Sequence, residues 1–446
     1  MKKIAYVCFM LLVVQLQPGF SQQQEDWGIA SQLFYQRYYD RVFDLNFQNT
    51  TARSLGIGNA FLSIADNLDA ISWNPAGLAS LPHPEANLVG QFNFDMRDYF
   101  APNFSGQKIL SEVSPQLIYR SAALAWPFSF GRLKIAAGLS YRFLYNFSNK
   151  FNETQYFYGG GLFREEKALS GGPQAVSASF ALSIIPQVSV GLTYNHILGS
   201  SKYDLQIKSP WADNRIYFGF DDEEEYSGSF LDIGILLKPI RFVSVGLAVT
   251  PGWAYTINEK SEQFRINDYD YELGWVEAIY ETSPEYLNEY KIDIPLIYRA
   301  GIAIHPLRKL TLTGSYESIK WEDLKITRDG NEHPNYLVNV ETIKAGVEYR
   351  ISYGLWTVPL RIGYYTDDLP YKDKWFENAY LGDQIKRAFY TLGMGIYRGH
   401  YAIDFAFQYG VQNYKWWMRQ ADYYNGRLYE TEDSMNQAVF SFGYRL

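Results

Sequence analysis

Residues 133–143 read Leu-Lys-Ile-Ala-Ala-Gly-Leu-Ser-Tyr-Arg-Phe. Leu133, Ile135, Ala137, Leu139, Tyr141 and Phe143 fall on one parity, and Lys134, Ala136, Gly138, Ser140 and Arg142 on the other. A period of two places one set on each face of a β-strand. Val188, Val190, Leu192 and Tyr194 alternate in the same way with Ser189, Gly191, Thr193 and Asn195. So do Ile343, Ala345, Val347, Tyr349 and Ile351 with Lys344, Gly346, Glu348 and Arg350, and Ile403, Phe405, Phe407 and Tyr409 with Asp404, Ala406, Gln408 and Gly410.

Such runs predict strands near 86–97, 115–126, 132–145, 174–185, 188–198, 228–238, 241–253, 292–304, 309–321, 340–351, 357–367, 387–398, 401–413 and 436–446. The count is even, and most runs reach the roughly ten residues that a tilted membrane strand needs. Tight links join them in pairs, several with a proline (Pro127, Pro186, Pro239, Pro306). The other connections, near 98–114, 146–173, 199–227, 254–291, 322–339, 368–386 and 414–435, are long and polar. Short turns at one end and long loops at the other are the signature of an outer-membrane barrel. The fold class is therefore all-β: a 14-stranded antiparallel transmembrane β-barrel of the outer membrane. Its apolar parity faces lipid, which sends Lys344, Glu348, Arg350 and Asp404 to the lumen.

Composition agrees. The 446 residues hold 38 Tyr, 29 Phe and 11 Trp, more tyrosine than a soluble core requires but suited to aromatic girdles at two interfaces. Forty-eight acidic against 40 basic residues argue against a nucleic-acid partner. Phe440, Phe442, Tyr444 and Leu446 alternate to the end of the chain, resembling the signal read by the barrel-insertion machinery.

Lys2 and Lys3 precede an apolar run from Ile4 to Val14, then Pro18, with Gly19 and Ser21 small before a cut after Ser21. This is a secretory signal peptide over residues 1–21, too short to span a bilayer. Its removal takes the single cysteine, Cys8, and moves the formal charge from −8 to −10. Residues 22–84 do not alternate and form an N-terminal extension and plug, and 85–446 form the barrel. Within the plug, Leu55, Phe61, Ile64, Leu68 and Ile71 give short amphipathic helical faces, and Asn74-Pro75 with Gly77 breaks the chain.

The stretch from Asp66 to Trp73 followed by Asn74-Pro75-Ala76-Gly77-Leu78-Ala79 resembles the hatch of the FadL/TodX family, outer-membrane transporters of hydrophobic compounds with a plug and fourteen strands. The resemblance implies that Asn74, Pro75 and Ala76 lie in a hatch closing the periplasmic end, and that ligand leaves sideways where the third strand kinks; Gly138 is the glycine inside that strand. About thirty mature residues, including LFYQRYYDRVFDLNF, precede the hatch, whereas the family begins close to it. The PorV-type barrel of a protein secretion system resembles Ala52 to Ala79 equally well, so a cargo-binding shuttle or scaffold stands as the alternative.

Enzymatic signatures are missing. His83, His196, His305, His333 and His400 have no metal-binding spacing, no G-x-S-x-G elbow occurs, and no nucleophilic cysteine survives processing. The reading is of a non-enzyme with no cofactor and no catalytic or metal site. The acidic run Asp221 to Glu225 reads as solvated loop charge, or as a calcium or lipopolysaccharide bridge. The expected function is passive uptake of hydrophobic small molecules, long-chain fatty acids or aromatic hydrocarbons. Expected partners are that ligand, membrane lipid and lipopolysaccharide. Phe264, Tyr269, Tyr271 and Trp275 in 254–291, with Trp211 and Phe218 in 199–227, form either an outer capture site or a cap on the rim.

Overall fold

The computed structural model describes residues 48, 50–93, 96–99, 109–113, 116–131, 133–145, 149–157, 161–209, 215–270, 274–282, 286–333, 335, 337–370, 372–376, 379–418 and 427–446. Fourteen strands form the wall: β1 (Glu85–Asn93), β2 (Gln116–Phe130), β3 (Leu133–Phe143), β4 (Gln174–Ile185), β5 (Val188–Leu198), β6 (Arg215–Ile240), β7 (Val243–Thr250), β8 (Ile297–Leu307), β9 (Leu310–Ile319), β10 (Val340–Tyr353), β11 (Trp356–Thr366), β12 (Lys386–Arg398), β13 (Tyr401–Met418) and β14 (Arg427–Arg445). Each pairs antiparallel with its neighbours, and β1 closes on β14 from Glu85↔Arg445 to Asn93↔Gln437. Closure removes the free edges that an open sheet would leave unpaired in lipid. All fourteen expected strands are present.

The expected faces hold as well. Ile343, Leu392 and Ile403 point outward and are more than half exposed, whereas Lys344, Glu348 and Asp404 are buried in the lumen. At about 25 cal/mol per Å² of apolar surface, such an exterior is stable only against acyl chains. The chain is a transmembrane β-barrel of the outer-membrane type.

Two-residue turns link β2 to β3, β4 to β5, and so on to β12 and β13. Three of these turns use a glycine with positive φ: Gly131 (64°), Gly354 (56°) and Gly399 (57°). Only Pro186 of the four prolines lies in a turn. Pro127, Pro239 and Pro306 are in the last residues of β2, β6 and β8. Register shifts at Leu237/Ile240 and Ile304/Leu307 absorb the missing N–H in the latter two.

The long connections differ from expectation. Residues Asn149–Phe157, Gly161–Gly171, Ser200–Ser209, Trp253–Asp270, Gly274–Thr282 and Tyr286–Ile294 are strands that continue the wall upward. β6 shows how: its foot pairs with β5 and β7, and its upper half with 200–209 and 253–270. Alternation and β-branched or aromatic residues persist past the expected strand ends, so pairing persists with them.

Residues 50–81 fold inside the barrel. Helix α1 (Ala52–Gly56) has a capping box between Thr51 and Ser54, α2 (Ala70–Trp73) follows, and a 3₁₀ turn spans Pro75–Ser80. Helices of one turn have no stability of their own; these persist because all their residues but Ser80 are buried. Leu55, Phe61, Ile64, Leu68 and Ile71 are buried, but only Leu55 and Ile71 are helical. The expected amphipathic faces are thus an apolar core within the lumen. The expected signal peptide and the expected extension up to Phe47 lie outside the described residues.

Candidate functional site

The lumen is built in three tiers stacked along the strands. The lowest tier holds the hatch against a ring of inward glycines. A Cβ at Gly191 would drive into Pro75 and Ala76, at Gly234 into Asn74, at Gly246 into Leu62, and at Gly346 into Ile57. The hatch backbone therefore touches wall backbone directly, which only glycine permits. Polar bonds fix it there. Asn74 Nδ2 donates to Leu62 O at 3.1 Å and to Ile235 O of β6 at 3.0 Å, and Asn74 Oδ1 accepts from Ala76 N at 3.3 Å. Thr193 Oγ1 donates to Ile71 O and Thr313 Oγ1 to Ala60 O, both at 2.7 Å. Arg53 spans to the wall at Glu348 (3.2 Å) and holds Asp66 of the hatch at 2.6 Å. Burial pushes the Asp66 carboxyl up, but Arg53 outweighs it and holds the group below its usual range.

The middle tier is a polar belt across eight strands, β3 to β10. Arg142 Nη2 donates to Asn195 Oδ1 (3.2 Å), and Asn195 Nδ2 to Asp232 Oδ2 (2.9 Å). Thr250 Oγ1 donates to Asp232 Oδ1 (2.5 Å) and accepts from Arg299 Nη1 (3.1 Å). Arg299 Nε and Lys344 Nζ both reach Glu317, at 2.6 and 3.3 Å. Gln48 Nε2 donates to the same carboxylate at 2.6 Å. Buried charges are tolerable only when so paired. Within the belt, Arg142 Nε and Nη1 and Arg299 Nη2 are buried without a partner among the described residues.

The upper tier is apolar. Leu144, Ile197, Phe230 and Ile297 stand one inward position above Arg142, Asn195, Asp232 and Arg299, and with Tyr255 and Tyr290 belong to one buried apolar cluster. Trp321, Leu324 and Leu337 close it from the β9–β10 connection. Apolar inward side chains at this level depart from the polar lining of a water-filled pore.

Beside Arg142 the wall changes. The β2–β3 ladder runs unbroken from Phe130↔Leu133 to Ser121↔Arg142. Above it β3 bends away, and Leu144 N and Tyr145 N both donate to Pro173 O on the β4 side. On β2 the register against β1 shifts between Val89 and Gly90, which leaves Arg120 as a bulged residue. Among the described residues, 116–120 of β2 have no partner on the β3 side. Tyr119, Tyr141 and Phe143 cluster along this seam with ring centroids 5.9–6.5 Å apart.

The sequence-predicted residues are placed as follows. Asn74, Pro75 and Ala76 are together in the buried hatch. Gly138 lies in the unbroken part of β3, pairing with Ala125 and Ser179, where a Cβ would stand 3.1 Å from Ile71 Cδ1. It seats the hatch; the bend comes further up the strand. Phe218, Phe264, Tyr269 and Trp275 are in rim strands, and Trp211 and Tyr271 lie outside the described residues. Sequence reasoning overlooked Arg142 and Arg299 as a pair, although aligning strands at their turns puts both on the lumen parity at similar height. Among the described residues no group of three His, Cys, Asp or Glu side chains is arranged to hold a metal ion.

No family model and no curated protein matches the chain. Solved structures do. A Pseudomonas aeruginosa FadL homologue covers 90% of this chain and 99% of its own at 14% identity and a TM-score of 0.58. The Ralstonia pickettii toluene transporter TbuX aligns over the same shares at 14% identity and 0.55. The P. putida toluene transporter TodX does so at 11% and 0.57. The fold is that of the FadL-type barrels. At this identity the likeness is one of architecture alone.

Proposed function

We propose that this protein takes hydrophobic small molecules across the outer membrane passively, by binding them in the barrel and releasing them sideways into the bilayer. The observation that carries the reading is the apolar upper tier above a hatch packed against the wall. Such a lumen offers apolar surface to a solute, the reverse of the polar lining that a diffusion pore needs. The toluene transporters that share the fold support a hydrophobic cargo.

Free guanidinium hydrogens at the floor of the apolar tier favour a ligand with an acidic head, hence long-chain fatty acids before plain aromatic hydrocarbons. The seam above Ser121 and Arg142 is the exit we assign, in place of Gly138. Lipid and lipopolysaccharide around the wall, and the barrel-insertion machinery during assembly, are the partners this reading entails.

Native mass spectrometry with lipid extraction, on barrel purified in a maltoside detergent, tests the reading. A co-purifying fatty acid supports it and names the substrate class. An empty barrel carrying a stoichiometric polypeptide overturns it in favour of a secretion component.

A further inference from the structure

A cavity of 480 Å³ opens at the turn end of the barrel, between the hatch and the feet of β5 to β8. Ile64 of the hatch and Pro186, Ile240 and Val243 of the wall give it apolar sides, and Lys238 and Arg241 give it charge. The carboxylate on its border, Asp66, is already engaged by Arg53 at 2.6 Å, with Arg350 at 3.9 Å. Lys238 Nζ donates to Ser80 Oγ at 2.8 Å. Among the described residues neither Lys238 nor Arg241 forms an ion pair. The pocket thus presents, beside an apolar lining, two cations without an ion-pair partner among the described residues, with Asp66 the carboxylate on its border, and it lies across the hatch from the Arg142 belt.

We propose that this pocket binds a small amphiphile carrying one carboxylate, admitted from the periplasm. Charge selects the head: a carboxylate between a guanidinium and an ammonium makes charge-assisted hydrogen bonds that an alcohol cannot. Volume limits the tail. At about 30 Å³ for each water-sized group, 480 Å³ holds on the order of 16 non-hydrogen atoms, so a medium-chain fatty acid fits and a diacyl lipid does not. Position sets the side of entry, because Pro186 and Arg241 belong to the turns that face the periplasm. The proposal rests on the wall and hatch alone and is independent of the uptake reading.

Gln187 borders the same pocket and is exposed. The processed chain carrying Gln187→Cys as its one cysteine, labelled with a trifluoromethyl tag, reports occupancy by fluorine NMR in maltoside micelles. Decanoate is expected to shift the resonance saturably, and decanol at equal concentration to leave it in place. Lys238→Gln with Arg241→Gln is expected to weaken the decanoate response about tenfold or more. Should the double variant fail to insert, Arg241→Gln alone, at an exposed turn position, is expected to weaken it about threefold. A resonance that ignores decanoate, moves equally with decanol, or responds unchanged in the variants overturns the proposal. Fatty acid retained in the upper tier by mass spectrometry would leave the uptake reading standing through any of those results.

Discussion

Asn74 occupies the space that a side chain at position 234 would fill: its Oδ1 lies against Gly234, and its Nδ2 donates to Ile235 O, one residue along β6, at 3.0 Å. Hatch and wall are therefore complementary at the level of backbone. Asn74→Ala leaves Ile235 O and Leu62 O without that donor, at a cost of about 1–3 kcal/mol for each buried group. Gly234→Val acts from the other side by displacing Asn74 and Pro75. Both variants are expected to raise single-channel conductance in planar bilayers above the closed wild type, Gly234→Val more so. Unchanged closure in Gly234→Val would mean that the hatch seals without this contact.

Much of this arrangement is legible in the residues. Strand after strand, Leu133 to Phe143 and Val188 to Leu198 among them, carries its face assignment in a period of two, because lipid on one side and a packed lumen on the other leave no other pattern stable. Asn74-Pro75-Ala76 marks the hatch for a local reason: Asn74 caps the 3₁₀ turn and Pro75 begins it. What the sequence conceals is partnership across distance. Gly191, Gly234 and Gly246 read as small lumenal residues, and nothing local says that the hatch backbone requires them. Arg120 likewise reads as one more strand residue, since a bulge is defined by the register of a neighbour. The rim strands were concealed by their charge, which resembles loop composition although alternation continues through it.

Arg142 is buried with Nε and Nη1 free at the floor of the apolar tier. Arg142→Gln keeps a donor but removes the charge. Its expected effect is a loss of oleate affinity by about tenfold, with toluene affinity unchanged. Equilibrium binding with radiolabelled ligands distinguishes the two. Equal losses for both would assign Arg142 a structural role in the belt.

Deleting Arg120 removes the extra residue between Val89 and Gly90 pairing and restores continuous register between β1 and β2. The upper part of β2 is then free to align with β3 and close the seam. Uptake of labelled fatty acid into proteoliposomes is expected to fall at least about tenfold while binding is retained, since the block lies after capture. Retained uptake with a closed seam would send the exit elsewhere.

Asp69 is fully buried between the two hatch helices, where Thr51 Oγ1 donates to its Oδ2 at 2.5 Å and its Oδ1 has no partner. Burial pushes its carboxyl up to about 7, against the opposing pull of Thr51 and Arg53. A carboxyl whose folded value is raised binds its proton more tightly in the hatch than in the unfolded segment, so hatch stability falls as pH rises between the two values. The window is pH 4 to 7, and the full effect is at most about 4 kcal/mol. Hydrogen exchange of the hatch amides is therefore expected to speed up from pH 5 to pH 8 beyond the intrinsic chemical trend. Asp69→Asn, neutral throughout, is expected to abolish that excess and to slow exchange at pH 8. An excess that survives in Asp69→Asn would trace the pH response to another group.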